Sequence, residues 1–493
     1  MHRQMINSTL IYFAMIVLQA LLQIVLLPLQ THFLSPSQYG VLATVIACAI
    51  ILSPIFNLGL HGAAQRFSVD YKEDSPERNR LWTTLLLLSL VVGLGMGVLT
   101  LVIISLLPTH FWTHFISLSY LSVAIVHAIA MGAVLVGSEL LRMAHQPRRY
   151  AMAMTIMSLA YLFMNIIFIG VFHWGLVGAL VAFGLMPWFG FLAILLNNHD
   201  YYQWPLQGRL VPELLAYSLK LMPHFTFTTL NTVADRLLLA FILGQHFTGI
   251  YTAGTTMASV MLMITSAIGF SARPQIFSRL AQNTAASLSE VRALTITAML
   301  IIALAGANLS LWSPEALALL TSSAFHSAWQ ITILLTLKYM LQSISLFVLS
   351  SILFNKVKVH RLLWVALSSF LLLIFFSTQL APHFGIWGIA IAGLMATLYE
   401  LFFNVQLSKK AFQLRWPVGR MLGLISVFFI PACALVFFTQ SANTALWLTI
   451  SIKLLFSIGS VFLVVFMILR QQNIEFHPLL SAIVPWRALK PRA

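Results

Sequence analysis

Charged side chains are scarce in this chain: 12 Asp and Glu with 27 Lys and Arg make up 8% of 493 residues. A soluble domain carries about 25%, so a surface that faces water cannot be built from so few. Cysteine is nearly missing as well. Cys48 and Cys433 each lie inside an apolar run, which leaves two small buried hydrophobes in place of a disulfide framework or a metal site. No GxxxxGK[ST] phosphate loop, HExxH, CxxC or credible GxSxG occurs. The chain therefore has no means of hydrolysing ATP, no metal or cofactor is expected, and it is read as not an enzyme.

What fills the chain instead is hydrocarbon. Hydrophobic residues make up 60% and the mean hydropathy is +0.93, so the bilayer must be the solvent for most of the protein. Runs long enough to cross a core of about 30 Å as helices lie near 6–29, 39–65, 81–107, 117–140, 150–172, 175–196, 214–243, 248–270, 292–311, 328–353, 361–380, 385–406, 419–438 and 446–469. The first exceeds a signal h-region of roughly 7–15 residues and lacks a small-x-small cleavage site, which marks it as a retained span.

Twenty-three of the 27 basic residues fall in alternate breaks between these runs. They are Arg3; Arg66, Lys72, Arg78 and Arg80; Arg142, Arg148 and Arg149; Arg209; Arg273, Arg279 and Arg292; Lys356, Lys358 and Arg361; Lys409, Lys410, Arg415 and Arg420; and Arg470, Arg487, Lys490 and Arg492. The intervening breaks, such as 30–38, 108–116, 244–247, 312–327 and 439–445, hold none. Cytoplasmic loops collect Lys and Arg, so both termini are placed in the cytoplasm. The net charge of +15 then reflects topology and contact with anionic membrane lipids, and no nucleic-acid partner is expected. Trp112, Trp174, Trp312, Trp329 and Trp447 sit near outer ends, where an amphipathic ring favours the interface.

An internal repeat is also present. Ser37-Gln-Tyr-Gly opens span two much as Phe247-Thr-Gly-Ile-Tyr opens span eight, matching Gly40 to Gly249 at an offset of 209. Trp174-Gly-Leu-Val-Gly likewise matches Phe384-Gly-Ile-Trp-Gly, with Gly175 on Gly385 and Gly178 on Gly388 at an offset of 210. Two matches at nearly one offset imply a duplicated six-helix unit. Six is even, so the units are parallel and related by an axis along the membrane normal. The expected architecture is an all-α integral membrane protein of about 14 helices. It divides into a first six-helix bundle over 1–209, a second over 210–410, and a C-terminal helix pair with a tail over 411–493.

Four basic residues remain inside spans: Lys220, Arg236, Lys338 and Lys453. A charge at the bilayer centre costs at least about 2.5–3.5 kcal/mol, so such residues face protein or a wet cavity. Lys338 lies roughly 15 Å into its span at 1.5 Å per residue, close to the midplane. Acidic partners are few: Asp235 beside Arg236, Glu400 in span twelve and Glu139 at the end of span four. One reading is a cationic cavity, in which Lys220, Arg236 and Lys338 hold an anionic ligand such as a diphosphate. The other has Asp235–Arg236 and Lys338–Glu400 as structural pairs, with Lys220 and Lys453 reaching out along their stems. Arg66 and Arg273 end spans two and eight on the inner face, near repeat equivalence. Two guanidiniums there suit bidentate grip of a phosphate, or anchor the inner rim. Asp235, Glu400 and His224 are candidates for ion coupling or pairing. His61, His127 and His224, in or near spans, suit proton relay or packing, and Pro223 between Lys220 and His224 marks a kink.

Three stretches carry a family resemblance. They are Phe33-Leu-Ser-Pro-Ser-Gln-Tyr-Gly with Ile55-Phe-Asn-Leu-Gly-Leu and Gln65-Arg-Phe; Asn231-Thr-Val-Ala-Asp-Arg-Leu-Leu-Leu-Ala-Phe-Ile-Leu-Gly with Thr248-Gly-Ile-Tyr-Thr-Ala; and Gly385-Ile-Trp-Gly-Ile-Ala-Ile-Ala. With the span map, the chain resembles the bacterial polysaccharide flippases of the multidrug/oligosaccharidyl-lipid/polysaccharide exporter superfamily. The resemblance implies two bundles in a V around a central cavity. It also implies flipping of an undecaprenyl-diphosphate-linked oligosaccharide (an O-antigen or exopolysaccharide unit) across the inner membrane by alternating access, alongside a polysaccharide polymerase and glycosyltransferases. Arg66 and the Asp235–Arg236 pair fall on its recurring positions.

A drug or metabolite exporter of the same superfamily is the alternative within transport, and would favour an acidic interior. A membrane polymerase or glycosyltransferase would call for a large catalytic loop, whereas the longest outer break, 312–327, has Glu315 as its one acid. The topology makes a direct prediction. An export-dependent reporter fused after residue 113, 245 or 320 is expected to be active, and one fused after 148, 209 or 280 silent; the opposite pattern would invert the orientation.

Overall fold

A backbone in hydrocarbon must satisfy its own hydrogen bonds, and a helix does so within one segment. The computed structural model describes residues 2–72, 75–106, 116–282, 284–354, 360–411, 416–441 and 446–471, and among them there is no strand. The helices of the first half are α1 (His2–Phe33), α2 (Pro36–Phe56), α3 (Leu60–Ser68), α4 (Pro76–Leu106), α5 (Leu118–Met143), α6 (Pro147–Asn165, extended by a π turn to Val171) and α7 (Gly175–Asn197). Those of the second half are α8 (Val211–Ile242), α9 (Gln245–Ala258), α10 (Val260–Gln282), α11 (Ala285–Leu311), α12 (Ser313–Leu320), α13 (Ala328–Phe354), α14 (His360–Phe384) and α15 (Ile386–Ala411). The terminal pair is α16 (Val418–Ser441) and α17 (Leu446–Gln471). Among the described residues thirteen stretches are long and apolar enough to span a bilayer; the first apolar run lies in α1, with a shorter apolar segment over Val17–Phe33. Of the residues singled out above, Trp112, Lys356, Lys358, Arg415, Arg487, Lys490 and Arg492 lie outside the described residues, as do the side chains of Arg3, Arg273, Arg361, Lys410 and Arg470.

The same helix pairings recur in each half. In the first, α1 packs on α6, α2, α4 and α7 on α5, and α6 on α7; in the second, α8 packs on α14, α9, α11 and α15 on α13, and α14 on α15. The matched glycines explain part of this. Gly175 and Gly385 open α7 and α15 with φ of 54° and 57°, a left-handed turn that a side chain resists. Three residues on, Gly178 and Gly388 press on the backbone of the preceding helix, at Phe168 and Leu380. The terminal pair sits on the second half, α16 against α11 and α13, α17 against α11.

The halves meet where α2 crosses α9. A methyl built at Gly40 would overlap the carbonyl of Gln245, and one at Gly249 would overlap the carbonyl of Pro36. Each glycine thus lies on the carbonyl four residues before its counterpart, so the crossing is two-fold symmetric in all but side chains. Small residues permit such backbone approach in membranes. Around it the Thr44 hydroxyl donates to Gln245 Oε1 at 2.8 Å, Ser322 donates to the Thr31 carbonyl at 2.7 Å, and Tyr39 meets Phe325 edge-on at 5.6 Å. By the loop charges this is the outer seam.

Span two, read from sequence as continuous over 39–65, is broken. Leu58 and Gly59 have φ of 48° and 77°, ending α2 and starting α3. Asn57, fully buried, bridges the gap: its amide nitrogen donates to the Gly132 carbonyl, and its oxygen accepts from the His61 backbone at 3.1 Å. Below the break, Gly59 and Gly62 lie against Ser218, Met222, Leu221 and Phe225 of α8, forming a second contact between the halves.

Gly40→Leu places side-chain bulk on the Gln245 carbonyl, a misfit costing about 1–3 kcal/mol. In a Cys48→Ala, Cys433→Ala background, it is expected to raise labelling of Thr44→Cys by a membrane-impermeant maleimide applied outside. Labelling that stays at the level of Gly40 protein would refute the seam.

Candidate functional site

Asp235 and Arg236 stand about two turns from the outer end of α8. Asp235 is 4% exposed, and its carboxylate is fully engaged. The Tyr251 hydroxyl of α9 donates to Oδ2 at 2.8 Å, the Arg236 backbone N–H donates to Oδ1 at 2.9 Å, and the Lys338 ammonium of α13 lies 3.5 Å from Oδ2. Gly393 of α15 leaves the lane that the Lys338 stem occupies, since a methyl there would come within 3.3 Å of Nζ. Lys338 therefore pairs with Asp235 and not with Glu400, which is half-buried on α15. Arg236 makes no side-chain hydrogen bond to Asp235, its Nε being buried without a partner, yet its charge acts on that carboxylate across space together with Lys338. The guanidinium acts electrostatically on Tyr39 of the first half and on Tyr251 and Tyr339 of the second. Lys338 also acts electrostatically on Glu400 of α15. With Lys220 of the same helix as Arg236, three cations thus stand against two carboxylates, Asp235 and Glu400, one positive charge in excess.

The other cations divide clearly. Lys453, expected to reach the interface along its stem, is instead wholly buried and bound at 2.6 Å to Glu315 of α12; a carboxylate delivered by the outer break replaces water as its partner. Arg66 is exposed and bonded at 2.6 Å to Asp70, which raises the already high pKa of the guanidinium. Glu139 accepts from Gln65 and pairs with Arg142, each at 2.8 Å. Lys220 and His224 are both exposed on α8, and with Thr228 and Thr232 they form a polar series at every fourth residue. The next step of that series is Arg236.

A separate cavity of about 540 Å³ lies in the first half and is closed on one side by Phe225 and Thr229 of α8. Its polar lining is uncharged: Gln19, Gln23, Ser53, His61, His127, Ser158, Tyr161 and Thr229. His61 rests on Phe225 and His127 stacks on Phe183, both with centroids 4.0 Å apart. The structure thus brings Asp235, Arg236 and Lys338 together, sets Lys220 and His224 along the same helix, leaves Glu400 within electrostatic reach of Lys338 without an ion pair, and leaves Arg66 apart. The two histidines His61 and His127, noted separately in sequence, share one chamber. Tyr251, Gln19 and Gln23 were not singled out, although two amides four apart in an apolar run are a visible signal of a wet helix face.

The profile of the polysaccharide biosynthesis protein family matches residues 5–280. The chain belongs to that family. No significant match to a curated protein is found. Among solved structures it is similar to the lipid II flippase MurJ in an inward closed conformation, with a TM-score of 0.73 and 12% identity over 95% of this chain and 100% of that one. It is also similar to a multidrug resistance MATE family transporter of the MOP superfamily. The inward-facing form gives a TM-score of 0.62 at 15% identity over 82% of this chain and 98% of that one. The outward-facing form gives 0.56 at 16% identity over 85% and 95%. At such identity the likeness shows a shared fold. The chain is a multi-pass membrane protein of that transporter fold.

Removing one member of a buried ion pair leaves the other uncompensated, at a cost of about 3–5 kcal/mol. Asp235→Ala is expected to lower the thermal unfolding midpoint in detergent, and Asp235→Ala with Lys338→Met to recover part of the loss. If the double variant is no more stable than Asp235→Ala, the two groups are not coupled.

Proposed function

We propose that this protein flips an undecaprenyl-diphosphate-linked oligosaccharide from the inner to the outer leaflet of the cytoplasmic membrane by alternating access. The observation that carries the reading is the positive charge in excess where Lys220, Arg236 and Lys338 stand against Asp235 and Glu400. Lys220 and Arg236 are the two ends of the polar series that climbs α8. In a low-dielectric interior, one surplus cation is a strong bias toward an anion, and a diphosphate is the anion that a lipid-linked sugar supplies. Guanidinium and ammonium groups are suited to phosphate oxygens.

Membership of a polysaccharide biosynthesis family and the fold shared with a lipid II flippase support the same reading. A cation-exporting pump of the shared fold would need net negative charge where this protein has net positive charge. Membrane glycosyltransferases that build the lipid-linked unit and a polymerase that consumes it are the partners this role implies. With no nucleotide-binding motif in the sequence, the driving force is an ion gradient, the membrane potential or mass action. Asp235 and His224 are the groups on α8 suited to couple an ion, and Glu400 remains a third candidate.

Deleting the protein is expected to make lipid-linked oligosaccharide accumulate on the cytoplasmic leaflet and surface polymer disappear. Lys338→Ala, supplied at normal expression, is expected to restore surface polymer about tenfold less well than the natural chain, the worth of one charge-assisted hydrogen bond. Unchanged lipid-linked pools in the deletion strain would count against the flippase role, and full complementation by Lys338→Ala would remove that residue from the site.

A further inference from the structure

The cavity of the first half contains no Lys or Arg, and hydrogen bonding fixes what its polar groups offer a ligand. The Asn57 amide nitrogen donates to the Gly132 carbonyl, so the Asn57 oxygen faces His61. That oxygen accepts only, and His61 Nδ1, 3.1 Å away, must carry the proton. His127 Nδ1 lies 2.9 Å from the Phe183 carbonyl and carries its proton for the same reason. In both neutral imidazoles Nε2 is then a bare acceptor. The three aliphatic hydroxyls are committed alike: Ser53 donates to the Ala49 carbonyl at 2.7 Å, Ser158 to Met154 at 2.9 Å and Thr229 to Phe225 at 2.8 Å. Each is left with lone pairs facing outward. Tyr161 accepts from Gln30 at 3.2 Å and keeps a proton to give, and the amides of Gln19 and Gln23 offer both kinds of group.

The chamber is therefore rich in acceptors, poor in donors and uncharged, with the aromatic rings of Phe183, Phe225 and Tyr161 in its wall. A diphosphate accepts only, and a carboxylate brings charge, so both are poorly served. A ligand dense in hydroxyl donors with apolar C–H faces is well served. The volume of about 540 Å³ lies within the roughly 300–1,000 Å³ of small-molecule sites.

We propose that this cavity is a glycan subsite selective for uncharged sugars, such as hexoses and N-acetylhexosamines, and that it excludes uronic acids. The proposal rests on the flippase reading and divides the substrate in two: diphosphate toward the cations of α8 and α13, sugar in the neutral chamber of the first half. Phe225 and Thr229 lie on the helix that carries Arg236, so one helix borders both parts.

The test uses full-length protein in lipid nanodiscs and three probes. They are undecaprenyl diphosphate alone, the same lipid bearing an N-acetylglucosamine–galactose disaccharide, and the same lipid bearing a glucuronic acid-containing disaccharide. The neutral disaccharide is expected to tighten binding about tenfold over the bare lipid, equivalent to one or two net hydrogen bonds, and the acidic one to add nothing. His127→Phe, which keeps a ring on Phe183, and Gln23→Leu, at an exposed position, are each expected to erase that gain while bare-lipid affinity stays unchanged. Ser158→Lys is expected to reverse the preference in favour of the acidic sugar. Equal affinity for bare and neutral-sugar lipid, or an acidic sugar bound as tightly as the neutral one by the natural chain, overturns the subsite and leaves the flippase reading in place. Failure of all three lipids to bind removes the flippase reading, and the subsite falls with it.

Discussion

The two halves of this protein touch through bare backbone. At the crossing of α2 and α9 there is no room for a side chain at Gly40 or Gly249, because each lies against a carbonyl of the opposite helix. Dispersion at that range, the hydrogen bond from Thr44 to Gln245 and a buried apolar cluster shared by the halves, with Tyr39, Leu42 and Val45 on one side and Ile250, Met257 and Phe325 on the other, hold the seam. Such a contact is strong when seated and forfeits most of its attraction after a small separation. The two-fold arrangement follows from duplication: residues inherited at equivalent positions become partners when the copies face one another along a common axis.

Charge follows a different logic. In a chain with so few acids, each buried carboxylate determines where a cation can rest. Asp235 holds Lys338 to α8, and Glu315 holds Lys453 to α12. Arg236 has a buried Nε without a hydrogen-bond partner, as Arg78, Arg80 and Arg292 also do, but it alone of these lies well inside a span beside Asp235. A buried donor left without a partner is costly unless something else supplies the acceptor. The anion-binding reading gives the unmet donor of Arg236 a purpose.

Much of the architecture can be read in the residues themselves. Alternation of basic and non-basic breaks orders the helices, since each crossing reverses the side, and glycine pairs at a common offset reveal the duplication. Local interruptions are less visible. Asn57-Leu58-Gly59 carries a turn signal, yet it sits in an apolar run whose hydropathy favours an unbroken span. Partner choice is harder still: both Asp235 and Glu400 lie within spans at plausible depth for Lys338, and depth along a helix says nothing of its rotation about its axis. Lys453 shows the same limit, because its carboxylate arrives from a short helix outside the spans. The cavity escapes sequence reading for a related reason, since Gln23, His61, His127 and Tyr161 come from four different helices.

The interruption at Asn57 to Gly59 bears on how stiff the link between the halves is. The same span is fastened to the second half twice, near its outer end at Gly40 and near its inner end at Gly59 and Gly62. A stiff rod clamped at both ends would transmit any outward pull straight to the inner clamp. With its hydrogen-bond ladder cut between the clamps, the span is two shorter rods joined at Asn57, α2 and α3, each packed on α8 in its own right, and a load on one is not carried rigidly to the other.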